Sequence, residues 1–312
     1  MIKEHYELVI LGGGPAGLSA GLYAARARLD HVVLEKGAPG GQVLNTDWVD
    51  NYPGYPEGLS GFELADNMLK HAQRFEVNIQ HGEVERVDLS NPEIKVLHMA
   101  DGSTVKCDTL IICTGARPNT LNVPGENEFR GKGVSYCGTC DAPFYRNVPV
   151  AVVGGGDTAV EEACYLTRFA SKVSIIHRRD ELRATKIIQE HAFANDKIEF
   201  VWNSKVTSIE GDNGVKEIKL VDNDGNTSTL EAEGIFVLIG ITPNNGCLPL
   251  DQLKADQWGF IPVDNECRTA IPGVMAAGDI ISKNVRQVVN AAGEGAVAML
   301  AAETYLNRLK EK

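Results

Sequence analysis

No stretch of the 312-residue sequence approaches the ~20 consecutive apolar residues that a membrane-spanning helix needs. Excess positive charge is also missing: 30 Lys and Arg stand against 42 Asp and Glu, for a net charge of −12. Nucleic-acid binders need a clustered cationic surface, and an anionic leaflet repels an acidic chain, so neither nucleic acid nor membrane is expected as a partner. Only one Cys-x-x-Cys occurs, Cys137-Gly-Thr-Cys140, and no paired His lies at a suitable spacing, so no metal site is expected. Met1 to Leu8 carry Lys3, Glu4, His5 and Glu7 before a short run ending in three glycines, and do not read as a signal peptide. The cysteines number seven, which is odd. A structural disulfide framework is therefore not expected, and a reducing, cytoplasmic compartment is. Hydrophobic residues make up 43 % and charged residues 23 %, ordinary for a folded soluble chain. The length suits two domains, each large enough to bury its own core.

An internal repeat organises the chain. Glu7-Leu-Val-Ile-Leu11 is a strand-like run entering Gly12-Gly-Gly-Pro-Ala-Gly17, and Pro149-Val-Ala-Val-Val153 enters Gly154-Gly-Gly-Asp-Thr-Ala159. A helical stretch rich in small residues follows each loop, and then a second strand, His31–Leu34 or Val173–Ile176. Later strands end alike, in Gly115-Ala-Arg-Pro-Asn119 and Gly240-Ile-Thr-Pro-Asn244. Between helix and late strand each copy is polar and β-rich, with Asp101-Gly102 and Asp224-Gly225 as hairpin turns. Strand, glycine turn, helix, strand is the start of a doubly wound α/β unit, so the fold class expected is α/β with two Rossmann-like domains.

A glycine loop between strand and helix suits a dinucleotide. The first glycine makes the turn, the second admits a pyrophosphate to the backbone, and the third position lets helix and strand close up. Two tight turns without ligand are the plainer alternative. The copies differ at the end of their second strand. Glu35 lies 23 residues after Gly12 and is placed to accept from a ribose diol, as in FAD or NAD. The same offset after Gly154 reaches His177, followed by Arg178, Arg179 and Arg183. Guanidiniums bind a 2′-phosphate and a carboxylate repels one, so the second loop should prefer NADPH; a solvated basic face is the alternative. Pro39-Gly-Gly41-Gln42 can bring backbone and an amide side chain to a flavin ring, with Asn51 a second candidate. Gly278-Asp279 ends a strand, where Asp279 can bind a ribityl hydroxyl or simply cap a helix. Arg286-Gln287 then precede a small-residue helix.

Cys137 and Cys140 can be zinc ligands, inert thiols or a redox dithiol. Asp141 can exchange a proton with a departing thiolate or cap a helix. With a flavin and NADPH inferred separately, a dithiol completes an electron chain.

Cys137-Gly-Thr-Cys-Asp141 followed by Pro143-Phe-Tyr-Arg-Asn147 resembles the active-site segment of the low-molecular-weight thioredoxin reductases. The glycine loops, Gly41-Gln42, Glu161-Glu162, His177-Arg-Arg179 with Arg183, and Ala277-Gly-Asp279 with Arg286-Gln287 fall where that family has them. The resemblance implies a discontinuous FAD domain, residues 1–116 and 246–312, and an inserted NADPH domain, residues 117–245, that carries the dithiol. It implies FAD contacts from Gly12, Gly14, Pro15, Ala16, Gly17, Glu35, Lys36, Gly41, Gln42 and Asn51. Val84, Thr114, Gly115, Gly278, Asp279, Arg286, Gln287 and Val288 complete that set. For NADPH it implies Gly154, Gly156, Asp157, Thr158, Glu161, His177, Arg178, Arg179, Arg183, Ile239 and Gly240. Cys140 would be the flavin-proximal sulfur, Cys137 the one that attacks the partner, and Asp141 the acid–base residue. The protein would be a homodimer with thioredoxin as partner. One flavin would have to meet nicotinamide and dithiol in turn, which implies a domain rotation about Ala116-Arg-Pro118 and Ile241-Thr-Pro243. Two rival readings keep parts of this: the same electron chain with another disulfide acceptor, or a dinucleotide sensor whose cysteines report redox state.

Overall fold

The structure, a computed structural model, describes residues 2–46 and 48–311. Met1, Asp47 and Lys312, which the expected domain ranges include, lie outside the described residues. The chain divides into two compact units, Met1–Arg117 with Thr242–Lys312, and Pro118–Ile241.

Unit 1 opens with β1 (His5–Leu11), α1 (Pro15–Arg26), β2 (His31–Glu35), α2 (Gly61–Arg74), β3 (Ile79–His81), β4 (Val84–Asp88), β5 (Lys95–Met99) and β6 (Thr104–Ile112), and leaves through β7 (Ala116–Pro118). Unit 2 holds β8 (Val134–Ser135), α3 (Gly138–Asp141), β9 (Pro149–Val153), α4 (Asp157–Leu166), β10 (Lys172–Ile176), α5 (Lys186–Phe193) and β11 (Ile198–Val201). It continues through β12 (Ser204–Gly211), β13 (Val215–Asp222), β14 (Thr227–Glu231) and β15 (Gly234–Val237), and ends at β16 (Ile241–Pro243). The chain returns to unit 1 for β17 (Val274–Ala276) and α6 (Val288–Lys310).

In unit 1 the strand order is β3-β2-β1-β6-β5-β4. Strands β3, β2, β1 and β6 run parallel, while β5 and β4 are antiparallel additions. Beyond Leu110 the free side of β6 is taken by β17, also parallel. A parallel sheet is covered on both faces, so its strands are apolar on both. In β1 alternate residues feed different cores: Val9 and Leu11 one, Leu8 and Ile10 the other, which α1 and α6 cover. Unit 2 repeats the arrangement with an all-parallel sheet, β11-β10-β9-β15-β8. In β9, Ala151 and Val153 face one core and Val150 and Val152 the other.

The two Rossmann-like halves expected from the repeat are thus both present. They treat the polar middle segment differently. In unit 1 the Asp101-Gly102 hairpin joins β5 to β6 and extends the main sheet. In unit 2 the Asp224-Gly225 hairpin belongs to a separate three-stranded sheet, β12-β13-β14. The expected hinge segments are the short strands β7 and β16, which pair with each other. The chain rejoins unit 1 at Thr242, ahead of the expected residue 246. The reason is local: Asn244 donates its backbone N–H to Gly115 O at 2.9 Å and its side-chain amide to Thr114 O at 2.9 Å. Among the described residues no helix is long and apolar enough to cross a membrane.

Candidate active site

The two glycine loops are built alike. Gly12 has φ +108, and a Cβ there would lie 2.3 Å from Cys113 O. Gly154 has φ +157, and a Cβ there would lie 2.5 Å from both Ala159 Cβ and Leu238 O. Neither position can carry a side chain. The second glycine of each loop is different. A Cβ on Gly14 would meet only Gly41 Cα, at 3.8 Å, and one on Gly156 would meet nothing within 4 Å. These two positions face open space, and each precedes a helix, Pro15 opening α1 and Asp157 opening α4. Backbone N–H groups at a helix start, with no side chain in front of them, fit a pyrophosphate.

In unit 1 Glu35, at the end of β2, closes the first loop. Its Oε2 accepts from Gly13 N and its Oε1 from Gly37 N, each at 2.7 Å. A carboxylate has about four acceptor sites, so two remain for a ribose diol. Gly40 N donates to Gly13 O at 2.8 Å, which brings Gly41 and Gln42 to the loop. Gln42 Nε2 donates to Ala116 O at 3.3 Å, and Asn51 Nδ2 to Gln287 Oε1 at 3.2 Å. Lys36 is exposed and pairs with Glu83, while Val84 opens β4. Asp279 sits in a single 3-10 turn, Gly278–Ile280, and Gln287 and Val288 begin α6. Arg286 lies over the Phe260 ring, 4.4 Å from its centre, and burial lowers its affinity for a proton.

Four buried side-chain atoms make no hydrogen bond among the described residues: Thr114 Oγ1, Asp279 Oδ1, Arg286 Nε and His177 Nε2. All four belong to residues that the sequence assigns to nucleotide sites. An unsatisfied buried polar atom costs about 1–3 kcal/mol, and such groups are rare in native proteins. A hydroxyl, a carboxylate and a guanidinium in unit 1 fit the ribityl and phosphate groups of a flavin dinucleotide.

In unit 2 the Arg178–Thr185 segment folds back onto the second loop. Arg183 N and Ala184 N donate to Gly155 O at 2.7 and 3.1 Å, and Thr185 N donates to Asp157 Oδ1 at 2.6 Å. Arg178, Arg179 and Arg183 are exposed. His177 is not like them. It is buried, and its ring lies against Gly155, where a Cβ would be 2.3 Å from Cε1. Burial, followed by the charges of Arg183 and Arg178, lowers its pKa. The exposed positive charge beside the second loop is thus that of the arginines. Thr158 and Glu161 are exposed on α4, while Ile239 and Gly240 follow β15.

Cys137 and Cys140 are joined by a disulfide, with Cα atoms 5.3 Å apart. Joined in this way, the two sulfurs are neither free thiols nor zinc ligands in this structure. The turn between the two cysteines is α3, which starts at Gly138. Asp141 N donates to Cys137 O at 3.2 Å. Ser135 Oγ donates to Asp141 Oδ2 at 2.5 Å and accepts from Cys137 N at 3.1 Å. Phe144, just beyond, is 54 % exposed. The five other cysteines are free, three of them buried. Burial raises the Cys107 thiol to about 12 and raises Cys113, Cys164, Cys247 and Cys267 as well.

Sequence reasoning missed three supporting residues. Ser135 orients Asp141. Glu162, on α4, accepts from Gly138 N at 2.5 Å. Glu294, on α6, accepts from Gly278 N at 2.9 Å and from Lys283 Nζ at 2.7 Å, and so shapes the turn that carries Asp279.

The sequence profile of the pyridine nucleotide-disulphide oxidoreductase family matches residues 6–295. A thioredoxin reductase of Listeria innocua is 44 % identical over 311 residues, covering 99 % of this chain and 96 % of its own. One of Bacillus subtilis is 42 % identical over 312 residues, covering 99 % and 97 %. Among solved structures, the thioredoxin reductase of Streptococcus pyogenes superposes with a TM-score of 0.92 at 42 % identity, over 98 % of this chain and 99 % of that one.

Proposed function

The chain belongs to the pyridine nucleotide-disulphide oxidoreductase family and within it to the thioredoxin reductases, and from that premise we propose that it uses FAD and NADPH to reduce the disulfide of a thioredoxin. The observation that carries this reading is the Cys137–Cys140 disulfide, set beside Asp141 in the unit whose glycine loop is flanked by Arg178, Arg179 and Arg183.

Unit 1, which holds residues 1–116 and 246–312, is the FAD domain. Unit 2, Pro118–Ile241, is the NADPH domain and lies inside the expected residues 117–245. Glu35 binds the adenosine ribose of FAD, and the amides beside Gly14 bind its pyrophosphate. Thr114, Asp279 and Arg286 would hold the flavin side of the molecule, giving hydrogen-bond partners to their buried Oγ1, Oδ1 and Nε atoms; Asp279 Oδ1 also faces Lys283 Nζ at 3.5 Å. When bound, the flavin supplies two-electron transfer from NADPH to the disulfide. The open space at Gly156 suits the NADPH pyrophosphate, and the exposed guanidiniums suit its 2′-phosphate.

Once the disulfide is reduced, the Cys137 thiolate attacks one sulfur of the acceptor and forms a mixed disulfide. Cys140 then attacks Cys137, the internal disulfide closes, and the acceptor leaves with both electrons and two thiols. Asp141, oriented by Ser135, holds or yields the proton that the departing thiolate requires. Exposed Phe144 offers the partner an apolar contact beside the sulfurs. The exposed stripe Val289, Val297 and Leu300 on α6 supports a homodimer, and the free cysteines suit a reducing cytoplasm.

The test is covalent capture. Cys140→Ser leaves Cys137 without its resolving partner. A thioredoxin that keeps only its attacked cysteine, activated as a mixed disulfide with thionitrobenzoate, should therefore be captured as a stable adduct at Cys137 with release of one thionitrobenzoate. Peptide mapping that finds no such adduct would refute the proposed role.

A further inference from the structure

We propose that Glu162 is a positioning residue for the redox disulfide, holding the Cys137–Cys140 turn through the backbone N–H of Gly138. The inference rests on the reading of Cys137–Cys140 as the redox couple.

Gly138 lies between the two cysteines and begins α3. Its N–H donates to Glu162 Oε2 at 2.5 Å. The fit is close: a Cβ on Gly138 would lie 2.6 Å from Oε2 and 3.1 Å from Glu162 Cβ. Within its own segment the turn is held by Ser135 Oγ on Cys137 N and on Asp141, and by Asp141 N on Cys137 O. Glu162 is an anchor that comes from a different helix, α4. It stands on α4, the helix that the second glycine loop opens, so the dithiol turn and the nucleotide loop share one rigid element. Burial pushes the Glu162 carboxyl up, the Gly138 N–H draws it back, and the charge of Asp141 adds to the rise.

The chemical consequence follows from where the Gly138 N–H points. Reduction by an added dithiol breaks the Cys137–Cys140 bond. The added dithiol supplies two electrons and two protons and closes to its own disulfide. With Glu162 in place the Gly138 N–H is engaged and donates nothing to a new thiolate. Released, it can donate to sulfur and stabilise the reduced form. Glu162 thus keeps the couple a stronger reductant.

The experiment equilibrates the holoprotein with reduced and oxidised dithiothreitol, without NADPH or thioredoxin, and counts alkylated Cys137 and Cys140 by peptide mass. Because neither substrate is present, its outcome is independent of the proposed acceptor. Glu162→Ala should shift the equilibrium toward the dithiol by about threefold or more, since hydrogen bonds to a thiolate favour it. Glu162→Gln, which keeps an acceptor oxygen for Gly138, should recover at least half of that shift. An unchanged equilibrium in Glu162→Ala overturns the proposal, and so does an equal shift in both variants, which would assign the effect to charge alone. If Glu162→Ala does not fold, Gly138→Ala serves instead. Its methyl displaces the carboxylate, so the same shift supports the proposal and a native equilibrium overturns it.

Discussion

Ser135 Oγ donates to Asp141 Oδ2 at 2.5 Å, so the carboxylate beside the disulfide is oriented by a hydroxyl from the end of β8. Ser135 is itself buried, and the same oxygen accepts from Cys137 N. Ser135→Ala keeps Asp141 but removes the hydroxyl that donates to its Oδ2. Thiol–disulfide exchange with thioredoxin should slow about tenfold, within the range that positioned proton transfer contributes. Flavin reduction by NADPH should stay as it is. Stopped-flow measurement of the two steps separates them, and slowing of flavin reduction alone would contradict the assignment.

The proposed reaction gives the two sulfurs separate tasks. Cys137→Ser should abolish thioredoxin reduction and leave NADPH-dependent bleaching of the flavin. Normal thioredoxin turnover by that variant would remove Cys137 from the reaction.

The proposed reading assigns the preference for NADPH to the exposed arginines. A charge-assisted hydrogen bond contributes about 1.5–3 kcal/mol, so Arg178→Ala or Arg179→Ala should raise the NADPH KM by about ten- to a hundredfold. The NADH KM should change little. An equal rise for both nucleotides would contradict a 2′-phosphate contact.

How much was legible in the sequence depended on how local each signal is. The glycine loops, Glu35, the Arg178–Arg183 cluster and the Cys-x-x-Cys pair each lie within one strand–turn–helix segment, and spacing alone exposes them. Glu162 acts across a tertiary contact, and Ser135 acts within its own segment but through a hydroxyl that no motif singles out. Glu161 and Glu162 are neighbours in the chain, yet Glu161 is exposed and Glu162 meets Gly138. A signal was available: Ala159, Ala163 and Leu166 mark the buried face of α4, and Glu162 borders it. A carboxylate beside an apolar stripe needs a donor, and the sequence could not say which one. His177 occupies the position that matches Glu35, but its ring is buried against Gly155 while the arginines that follow it are exposed, a difference that spacing does not show.

Lys95 is fully buried, and its Nζ donates to Pro92 O at 3.0 Å and Asp108 O at 2.9 Å. Burial lowers its pKa. Between that lowered value and the ordinary one, the unfolded chain binds more protons than the fold, so this lysine makes stability rise with alkaline pH. Lys95→Met removes the charge and both donors but keeps the stem. It should cost about 1–3 kcal/mol near neutrality, the price of two unpaired carbonyls. It should also flatten the alkaline part of the stability curve relative to the native chain. Urea midpoints measured across that pH range check both; a parallel curve would contradict the titration.

The central claim is that electrons enter as NADPH and leave through the Cys137–Cys140 couple. The most direct measurement is an anaerobic titration of the purified holoprotein with NADPH, read at the flavin absorption band, followed by oxidised thioredoxin. The band should bleach with NADPH and return on adding thioredoxin, with one acceptor disulfide reduced per NADPH consumed. A band that stays bleached in the presence of thioredoxin, or a protein that takes up no flavin, contradicts the account.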